Sequence, residues 1–221
     1  MKELIGTGVA LVTPFNKDGS IDYPALEKLV NYVISSGVEY LVLLGTTSEY
    51  TTLSEDEKKE VIRVISKTNN KRVPMVLGIG TNNTQKVIEK IQNTDTSEFC
   101  AILSVSPYYN KPTQEGIYEH FKAIAQSTEQ KIILYNVPGR TGSNISSETT
   151  LRLAREFKNI VAIKEASPNL SQSMDILSQK PEGFLVLSGD DEFALPISLA
   201  GGKGVISVIG QALAEEFLVI L

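Results

Sequence analysis

The sequence of 221 residues is poor in the residue types that build disulfides and metal sites, with one cysteine, one histidine and no tryptophan. A single cysteine, Cys100, excludes an internal disulfide, and a single histidine, His120, excludes a metal site built on histidine ligands. We interpret His120, in the segment GIYEHFKAIA, as an ordinary residue on a helix surface. These scarcities indicate a cytoplasmic protein without a metal cofactor.

Positive charge and long apolar runs are also scarce. The 21 Lys and Arg residues are scattered and outnumbered by 26 Asp and Glu, which leaves a net charge of -5 and argues against nucleic-acid binding. No run approaches the ~18–20 apolar residues of a membrane span, and the first residues, MKELIGTGVALVTPF, lack the cleavage site of a signal peptide. We therefore expect no nucleic-acid partner, no membrane contact and no targeting segment. The expected partners are small molecules or copies of the chain itself.

Short apolar runs rich in β-branched residues recur along the chain and alternate with segments of helical period. Eight such runs are GVALVTPF, YLVLLGTT, VPMVLGIG, FCAILSVSPYY, KIILYNVP, IVAIKEAS, FLVLSGDD and GVISVIG. Their spacing of roughly 20 to 33 residues suits one strand and one return helix per unit. The pattern predicts an α/β fold, a (β/α)8 TIM barrel, as a single domain over residues 1–221 with an incomplete last helix. A doubly wound open sheet is disfavoured because eight strands would make it unusually wide.

Helix start signals support this alternation. Ser54 with Glu57 forms a capping-box pattern, and Asp22, Thr113 and Ser146 precede segments with apolar residues at helical spacing. We predict a helix beginning after each of these four capping residues.

A lysine at the end of the sixth strand is the strongest chemical signal. In IVAIKEAS, alternation places Ile160, Ala162 and Lys164 on one face, so Lys164 points into the barrel. Burial lowers the pKa of a lysine and yields the neutral amine that forms Schiff bases with carbonyl compounds. The alternative is a strand that ends at Ile163, with Lys164 turned to solvent or paired with Glu165.

Residues at the ends of other strands could complete a site, because active sites of such barrels lie at the carboxyl ends of the strands. Tyr135 ends KIILYNVP and could transfer protons to the lysine, although it could also be a core tyrosine. Thr46 and Thr47 follow a glycine and could bind a small carboxylate. Arg140, in PGRTG, could bind a second carboxylate or lie on the surface.

The motifs GTTSE, SPYYNKPTQEG, YNVPGRTG, IKEAS, LSGDD and GGKGVISV, in this order, resemble the dihydrodipicolinate synthase family. The resemblance covers essentially residues 4–210. It implies condensation of pyruvate with L-aspartate 4-semialdehyde in lysine (diaminopimelate) biosynthesis, through a covalent lysine imine and without another cofactor. The arginine of YNVPGRTG argues against the sister pyruvate lyases, which act on N-acetylneuraminate or keto-deoxy sugar acids.

By resemblance, Lys164 forms the Schiff base, and Tyr135, Thr46 and Tyr109 form a proton relay. The tyrosine equivalent to Tyr109 reaches into the site of a neighbouring subunit in this family. The resemblance therefore implies a homo-oligomer, commonly a tetramer made of two dimers.

The resemblance also assigns substrate contacts. Thr47 binds the carboxylate of pyruvate, Arg140 binds that of aspartate semialdehyde, and Gly189 and Ile206 supply backbone contacts near the lysine. Two departures stand out. Ser48 replaces a glycine of the family's GTTGE loop, which strains the loop if the position needs positive φ. The C-terminal helical appendage of the family is missing or truncated, so an inactive pyruvate-binding barrel is a further alternative.

Many members of this family are inhibited by lysine at an interface site. Of the corresponding positions, Asn82 and Tyr108 match the lysine-sensitive pattern, whereas Lys86 replaces an acid and Lys58 replaces a histidine. Like charges repel, so we predict weak or absent inhibition, on the hypothesis that Glu55 points away from this site. Tyr50 and Thr51 are the other two positions that correspond to this lysine-binding site.

Overall fold

The computed structural model describes residues 1–218. Within them, eight parallel strands pair in chain order and close into a barrel when β8 pairs with β1. The strands are β1 (Gly6–Ala10), β2 (Tyr40–Leu43), β3 (Met75–Gly78), β4 (Ala101–Val105), β5 (Ile132–Asn136), β6 (Ile160–Glu165), β7 (Leu185–Ser188) and β8 (Gly204–Ser207). Seven of the strands lie within the apolar runs and β1 overlaps the first run, so the predicted (β/α)8 TIM barrel is confirmed.

Helices alternate with the strands around the outside of the barrel. They are α1 (Tyr23–Ser35), α2 (Glu55–Asn69), α3 (Thr84–Gln92), α4 (Gln114–Gln126), α5 (Pro138–Thr141), α6 (Ser147–Glu156), α7 (Leu170–Gln179), α8 (Ala194–Leu199) and α9 (Ala214–Leu218). Short 3-10 turns cover Lys2–Leu4, Thr46–Ser48, Asp191–Phe193 and Ile209–Gln211. None of the helices in residues 1–218 has the length and apolar character needed to span a bilayer.

The predicted capping residues begin their helices. Ser54 accepts a hydrogen bond from the Glu57 N–H at 3.3 Å, and the Glu57 carboxylate accepts one from the Ser54 N–H at 2.7 Å, which completes the capping box. Asp22, Thr113 and Ser146 each accept a backbone hydrogen bond from the first turn of α1, α4 and α6. These contacts satisfy N–H groups that a helix start otherwise leaves unpaired.

The core has two layers because successive strand residues face opposite sides of the barrel wall. The inner layer fills the barrel with residues that include Val42, Val76, Leu103, Ile133, Tyr135 and Ile206. The outer layer lies between strands and helices and includes Leu41, Leu77, Leu134, Ile163, Leu26, Val61 and Phe121.

The predicted alternation is wrong at the start of β6. Ile132 pairs with Ile160, but the next residue, Ile133, pairs with Ala162, so the strand bulges at Val161. Ile160 therefore packs in the outer layer instead of sharing the inward face with Lys164. A bulge inserts one residue and shifts the alternation. Downstream of it, Ala162 packs in the inner layer, as predicted.

The prediction that His120 is a surface residue is also wrong. Its side chain is 4% exposed on α4, and its Nδ1 atom lies 2.8 Å from the Thr84 Oγ1 on α3. Burial lowers the pKa of His120 to about 4. The imidazole is therefore neutral at physiological pH and contributes to the packing of α3 against α4.

Candidate active site

Lys164 lies inside the barrel near the carboxyl end of β6, as its position in the sequence predicts. The side chain is 4% exposed. Burial lowers the pKa of the amine, Tyr135 and Asp191 oppose this effect by favouring the ammonium form, and Arg140 adds to it. The alternatives of a solvent-facing lysine or a Lys164–Glu165 pair are wrong, since Lys164 is buried and Glu165 bonds to other partners. A desolvated amine of this kind can act as a carbonyl nucleophile.

Tyr135 lies beside this amine. It is the direct ladder partner of Lys164 across β5 and β6, and Lys164 Nζ lies 4.4 Å from the centre of the Tyr135 ring. The phenol is thereby held in the same buried space as the amine. Such an arrangement allows proton exchange between a phenol and a reacting imine.

The loop after β2 brings Thr46 and Thr47 to the carboxyl end of the barrel. Both lie in a 3-10 turn, and both are partly buried. Positive φ occurs at Leu44 (52°) and Glu49 (56°), and not at Ser48. The condition for strain at Ser48, a positive φ, is therefore not met, and the Ser48 hydroxyl donates to the Gly45 carbonyl at 2.7 Å.

Thr46 and Arg140 line a cavity of about 250 Å³ that also includes Tyr50 and Tyr108. Arg140 reaches this cavity from α5, the single helical turn that follows β5. Thr46 and Tyr50 also form the wall of the adjoining space beside Tyr135. Thr46 in the loop after β2, Arg140 in α5 and the Tyr135 phenol thus lie close together at the carboxyl end of the strands.

Tyr50 is a site residue that the sequence pattern placed only among the regulatory positions. Its hydroxyl donates to the Gly80 carbonyl at 3.0 Å. Burial raises the pKa of Tyr50, and the neighbouring Tyr108 and Tyr135 phenols raise it further. In the sequence, only its place as an aromatic residue directly after the GTTSE loop points to a position in the site.

Tyr109 is not brought into the site by its own chain. Its side chain is 88% exposed, and its backbone has a φ of 73°. Positive φ is uncommon for a residue with a bulky side chain and marks a position held by its surroundings. Tyr109 therefore projects from the loop between β4 and α4.

Gly189 directly follows β7 and Ile206 lies on β8, the two strands that come after the strand of Lys164. A Cβ atom on Gly189 would lie 2.9 Å from the Lys164 Cγ and 2.7 Å from the Ala166 Cβ, so only glycine leaves room for the lysine stem. The Gly189 N–H donates to the Glu165 carbonyl at 2.7 Å. Ile206 is fully buried in the inner layer on β8.

Six of the seven positions assigned to lysine regulation are divided between two cavities, and Asn82 lines neither. Glu55, Lys58 and Lys86 line a cleft of about 760 Å³ between α2 and α3, whereas Tyr50, Thr51 and Tyr108 line the cavity with Arg140. The hypothesis that Glu55 points away from the cleft is wrong. Its carboxylate lies 2.7 Å from Lys58 Nζ and 3.4 Å from Lys90 Nζ.

The part of the chain from residue 1 to 218 contains no group of three or more His, Cys, Asp or Glu side chains arranged to hold a metal ion. The chemistry that the barrel residues offer is that of an amine beside a phenol.

A buried lysine beside a tyrosine at the carboxyl end of a (β/α)8 barrel defines the class of Schiff-base-forming enzymes. Within that class, the chain belongs to the dihydrodipicolinate synthetase family, whose model matches residues 3–220.

Curated and solved relatives agree with this assignment. The chain is 61% identical over 217 residues to the 4-hydroxy-tetrahydrodipicolinate synthase of Flavobacterium psychrophilum, covering 98% of this chain and 74% of the relative. Among solved structures, the chloride-inhibited dihydrodipicolinate synthase of Acinetobacter baumannii complexed with pyruvate has a TM-score of 0.93 at 44% identity, covering 97% and 74%. A structure described as the first monomeric dihydrodipicolinate synthase variant has a TM-score of 0.94 at 39% identity, covering 98% and 73%.

Proposed function

We propose that this protein is a 4-hydroxy-tetrahydrodipicolinate synthase, a lyase that condenses pyruvate with L-aspartate 4-semialdehyde. The single observation that carries the proposal is the desolvated Lys164 amine beside the Tyr135 phenol inside the barrel. The family assignment, and the name shared by curated relatives at 50–61% identity, support the same activity.

The reaction begins with the Lys164 amine. Neutral Lys164 attacks the ketone carbon of pyruvate, and one water leaves as the imine forms. Loss of a proton from the methyl carbon gives an enamine, which attacks the aldehyde carbon of the second substrate and forms the new carbon–carbon bond. The amine of that substrate then attacks the imine carbon, which closes the ring and releases Lys164 with its proton restored. The covalent imine is the electron sink, so the scheme requires no metal or added cofactor.

Proton transfers are assigned to Tyr135, with Thr46 and Tyr109 completing the relay. The distance of 4.4 Å between Lys164 Nζ and the Tyr135 ring supports the first assignment. The shared cavity walls support the place of Thr46 beside Tyr135.

The two substrate carboxylates are assigned to two different residues. Thr47, in the turn after β2, binds pyruvate, and Arg140 binds aspartate semialdehyde through a charge-assisted bidentate contact. Gly189 and Ile206 contribute backbone contacts near the lysine. The single-turn helix α5 supports the role of Arg140 because it holds that residue at the cavity wall.

We further infer that the chain acts as a homo-oligomer, commonly a tetramer in this family, in which Tyr109 enters the site of a neighbouring copy. The exposed side chain and positive φ of Tyr109 support this role. Sedimentation velocity would measure the assembly, together with turnover at the same protein concentration. A fully active monomer of this chain would contradict the role of Tyr109.

Borohydride reduction in the presence of pyruvate, followed by peptide mass mapping, tests the central assignment. We expect the reduced pyruvate adduct on Lys164 alone. Lys164→Ala removes the adduct, while Lys203→Ala, at an exposed lysine before β8, is the matched control and keeps it. An adduct on another lysine would contradict the mechanism. Parallel condensation and cleavage assays separate the synthase from a sister lyase, and an adduct without turnover would indicate an inactive binding barrel.

A further inference from the structure

A buried polar cluster lies directly behind the Tyr135–Lys164 pair. We call it the Glu165 cluster, consisting of Asn136, Asn144, Ser167 and Gln172 around Glu165. Glu165 is 1% exposed and faces the outer side of the barrel wall. Its carboxylate accepts hydrogen bonds from Asn136 Nδ2 at 2.9 and 3.0 Å, from Gln172 Nε2 at 2.9 Å and from the Ser167 N–H at 2.8 Å.

These contacts favour an ionised carboxylate, because all of them come from donors. Burial raises the pKa of Glu165, and the hydrogen bonds from Asn136, Gln172 and Ser167 oppose this effect. The amide nitrogens of all three residues donate, and a carboxylate can accept several hydrogen bonds on its two oxygens. A buried charge is expensive to maintain and is tolerated when several donors satisfy it.

The Glu165 cluster lies at the end of the β5–β6 ladder, directly after the Tyr135–Lys164 pair. The bulge at Val161 shifts the register upstream, and a one-residue slip in a strand moves every side chain to the other face. Downstream of the bulge, Tyr135 pairs with Lys164, and the next pair is Asn136 with Glu165. The side-chain contact in the second pair is formed only in the register that places Tyr135 opposite Lys164.

The Glu165 cluster also holds the segment that follows α5, the helical turn that carries Arg140. The Ile145 N–H donates to Asn136 Oδ1 at 2.9 Å, and Asn136 Nδ2 also donates to Asn144 Oδ1 at 2.8 Å. Asn144 Nδ2 in turn donates to Gln172 Oε1 on α7 at 2.8 Å. Strand β5, strand β6, helix α7 and the segment after Arg140 are therefore joined through one buried hydrogen-bond cluster.

We propose that Glu165 is a positioning residue that locks the β5–β6 register and thereby holds the Tyr135 phenol against the Lys164 amine. This role rests on the proposed function, since its effect is measured on the pyruvate imine. Glu165 acts through Asn136 and touches no substrate.

Glu165→Gln tests the role with almost no change in size. One carboxylate oxygen becomes an NH2 group whose hydrogens face a donor, either the Ser167 N–H or the Gln172 Nε2, and the change removes the charge that binds Asn136. We expect both the rate of pyruvate imine formation and kcat to fall about 10–100-fold, the effect of a misplacement on the scale of 1 Å. Glu182→Gln, at an exposed glutamate between α7 and β7, is the matched control and retains wild-type rates.

The double variant Asn136→Asp with Glu165→Gln reverses donor and acceptor in the pair. The new carboxylate on β5 would accept from the new amide on β6 and still accept from the Ile145 N–H, so we expect several-fold recovery of the imine rate. A role in stability alone predicts a lower unfolding temperature for Glu165→Gln with an unchanged imine rate, and this result would overturn the proposal.

If Glu165→Gln does not fold, Gln172→Met decides the question, because it removes one of the donors that orient the Glu165 carboxylate towards Asn136. We expect a folded Gln172→Met protein with slower imine formation, and an unchanged rate would overturn the proposal. Wild-type protein that yields no borohydride adduct with pyruvate would instead overturn the proposed function. A different result is that wild-type protein gives the borohydride adduct while a folded Glu165→Gln variant forms the imine at the same rate. That result would overturn the role of Glu165 and leave the proposed function intact.

Discussion

The Lys164 amine lies over the Tyr135 ring, 4.4 Å from its centre, and the two residues are direct partners in the β5–β6 ladder. Their proximity is therefore set by the backbone pairing of two neighbouring strands and not by a flexible loop. A pair held in this way needs little reorganisation before a proton moves between them.

Replacement of Tyr135 by phenylalanine removes the phenol and keeps the ring. We expect kcat to fall about 10²–10³-fold, the usual contribution of one positioned proton-transfer group. Steady-state kinetics with both substrates measures the effect, and Tyr32→Phe, at an exposed tyrosine on α1, serves as the control. Wild-type turnover in the Tyr135→Phe variant would rule out the assigned proton relay.

Arg140→Ala should weaken the binding of aspartate semialdehyde and leave the reaction with pyruvate intact. Loss of a bidentate charge-assisted contact of roughly 1.5–3 kcal/mol raises the KM for aspartate semialdehyde about 10–100-fold. Formation of the pyruvate imine, measured by borohydride trapping, should continue. Arg155→Ala, on the exposed surface of α6, is the matched control. Equal impairment of both steps would contradict the role of Arg140 in binding the second substrate.

The buried His120 should make the protein sensitive to mild acid. Its pKa is lowered from 6.5 to about 4 by burial, so the unfolded state binds a proton at a pH where the folded state does not. This group therefore reduces stability as pH falls from about 6.5 to about 4, by up to about 3 kcal/mol.

Urea unfolding at pH 7 and pH 4.5 measures this dependence. His120→Asn keeps a polar group near the Thr84 hydroxyl without titrating, and it should lose less stability between the two pH values than wild type. Identical losses in the two proteins would show that His120 does not titrate on unfolding in this range.

L-lysine should inhibit weakly, with half-inhibition above about 1 mM, which corresponds to a site worth less than ~4 kcal/mol. The reason differs from the hypothesis based on the sequence. Glu55 does line the cleft, but Lys58 and Lys90 already pair with its carboxylate, and Lys86 adds a further positive charge. Initial rates over a lysine titration test this expectation, and Lys86→Glu should strengthen inhibition. Half-inhibition well below 1 mM in wild type would contradict it.

Local patterns were sufficient for features that depend on nearby residues. The capping roles of Asp22, Ser54, Thr113 and Ser146 were predicted correctly because a cap bonds to the first turn of its own helix. The burial of His120 was not predicted because it depends on the packing of α3 against α4, which brings together Thr84 and His120, 36 residues apart in the chain.

The eight-stranded barrel and the inward direction of Lys164 could be predicted from the sequence, because apolar runs, caps and strand alternation involve residues close together in the chain. The bulge at Val161, the pairing of Glu165 with Asn136 and the placement of Lys164 over Tyr135 emerged only from the folded structure. The physical reason is that register and buried hydrogen bonding join residues that are far apart in the chain. Such contacts form only when neighbouring strands pair, and alternation within one strand does not specify them.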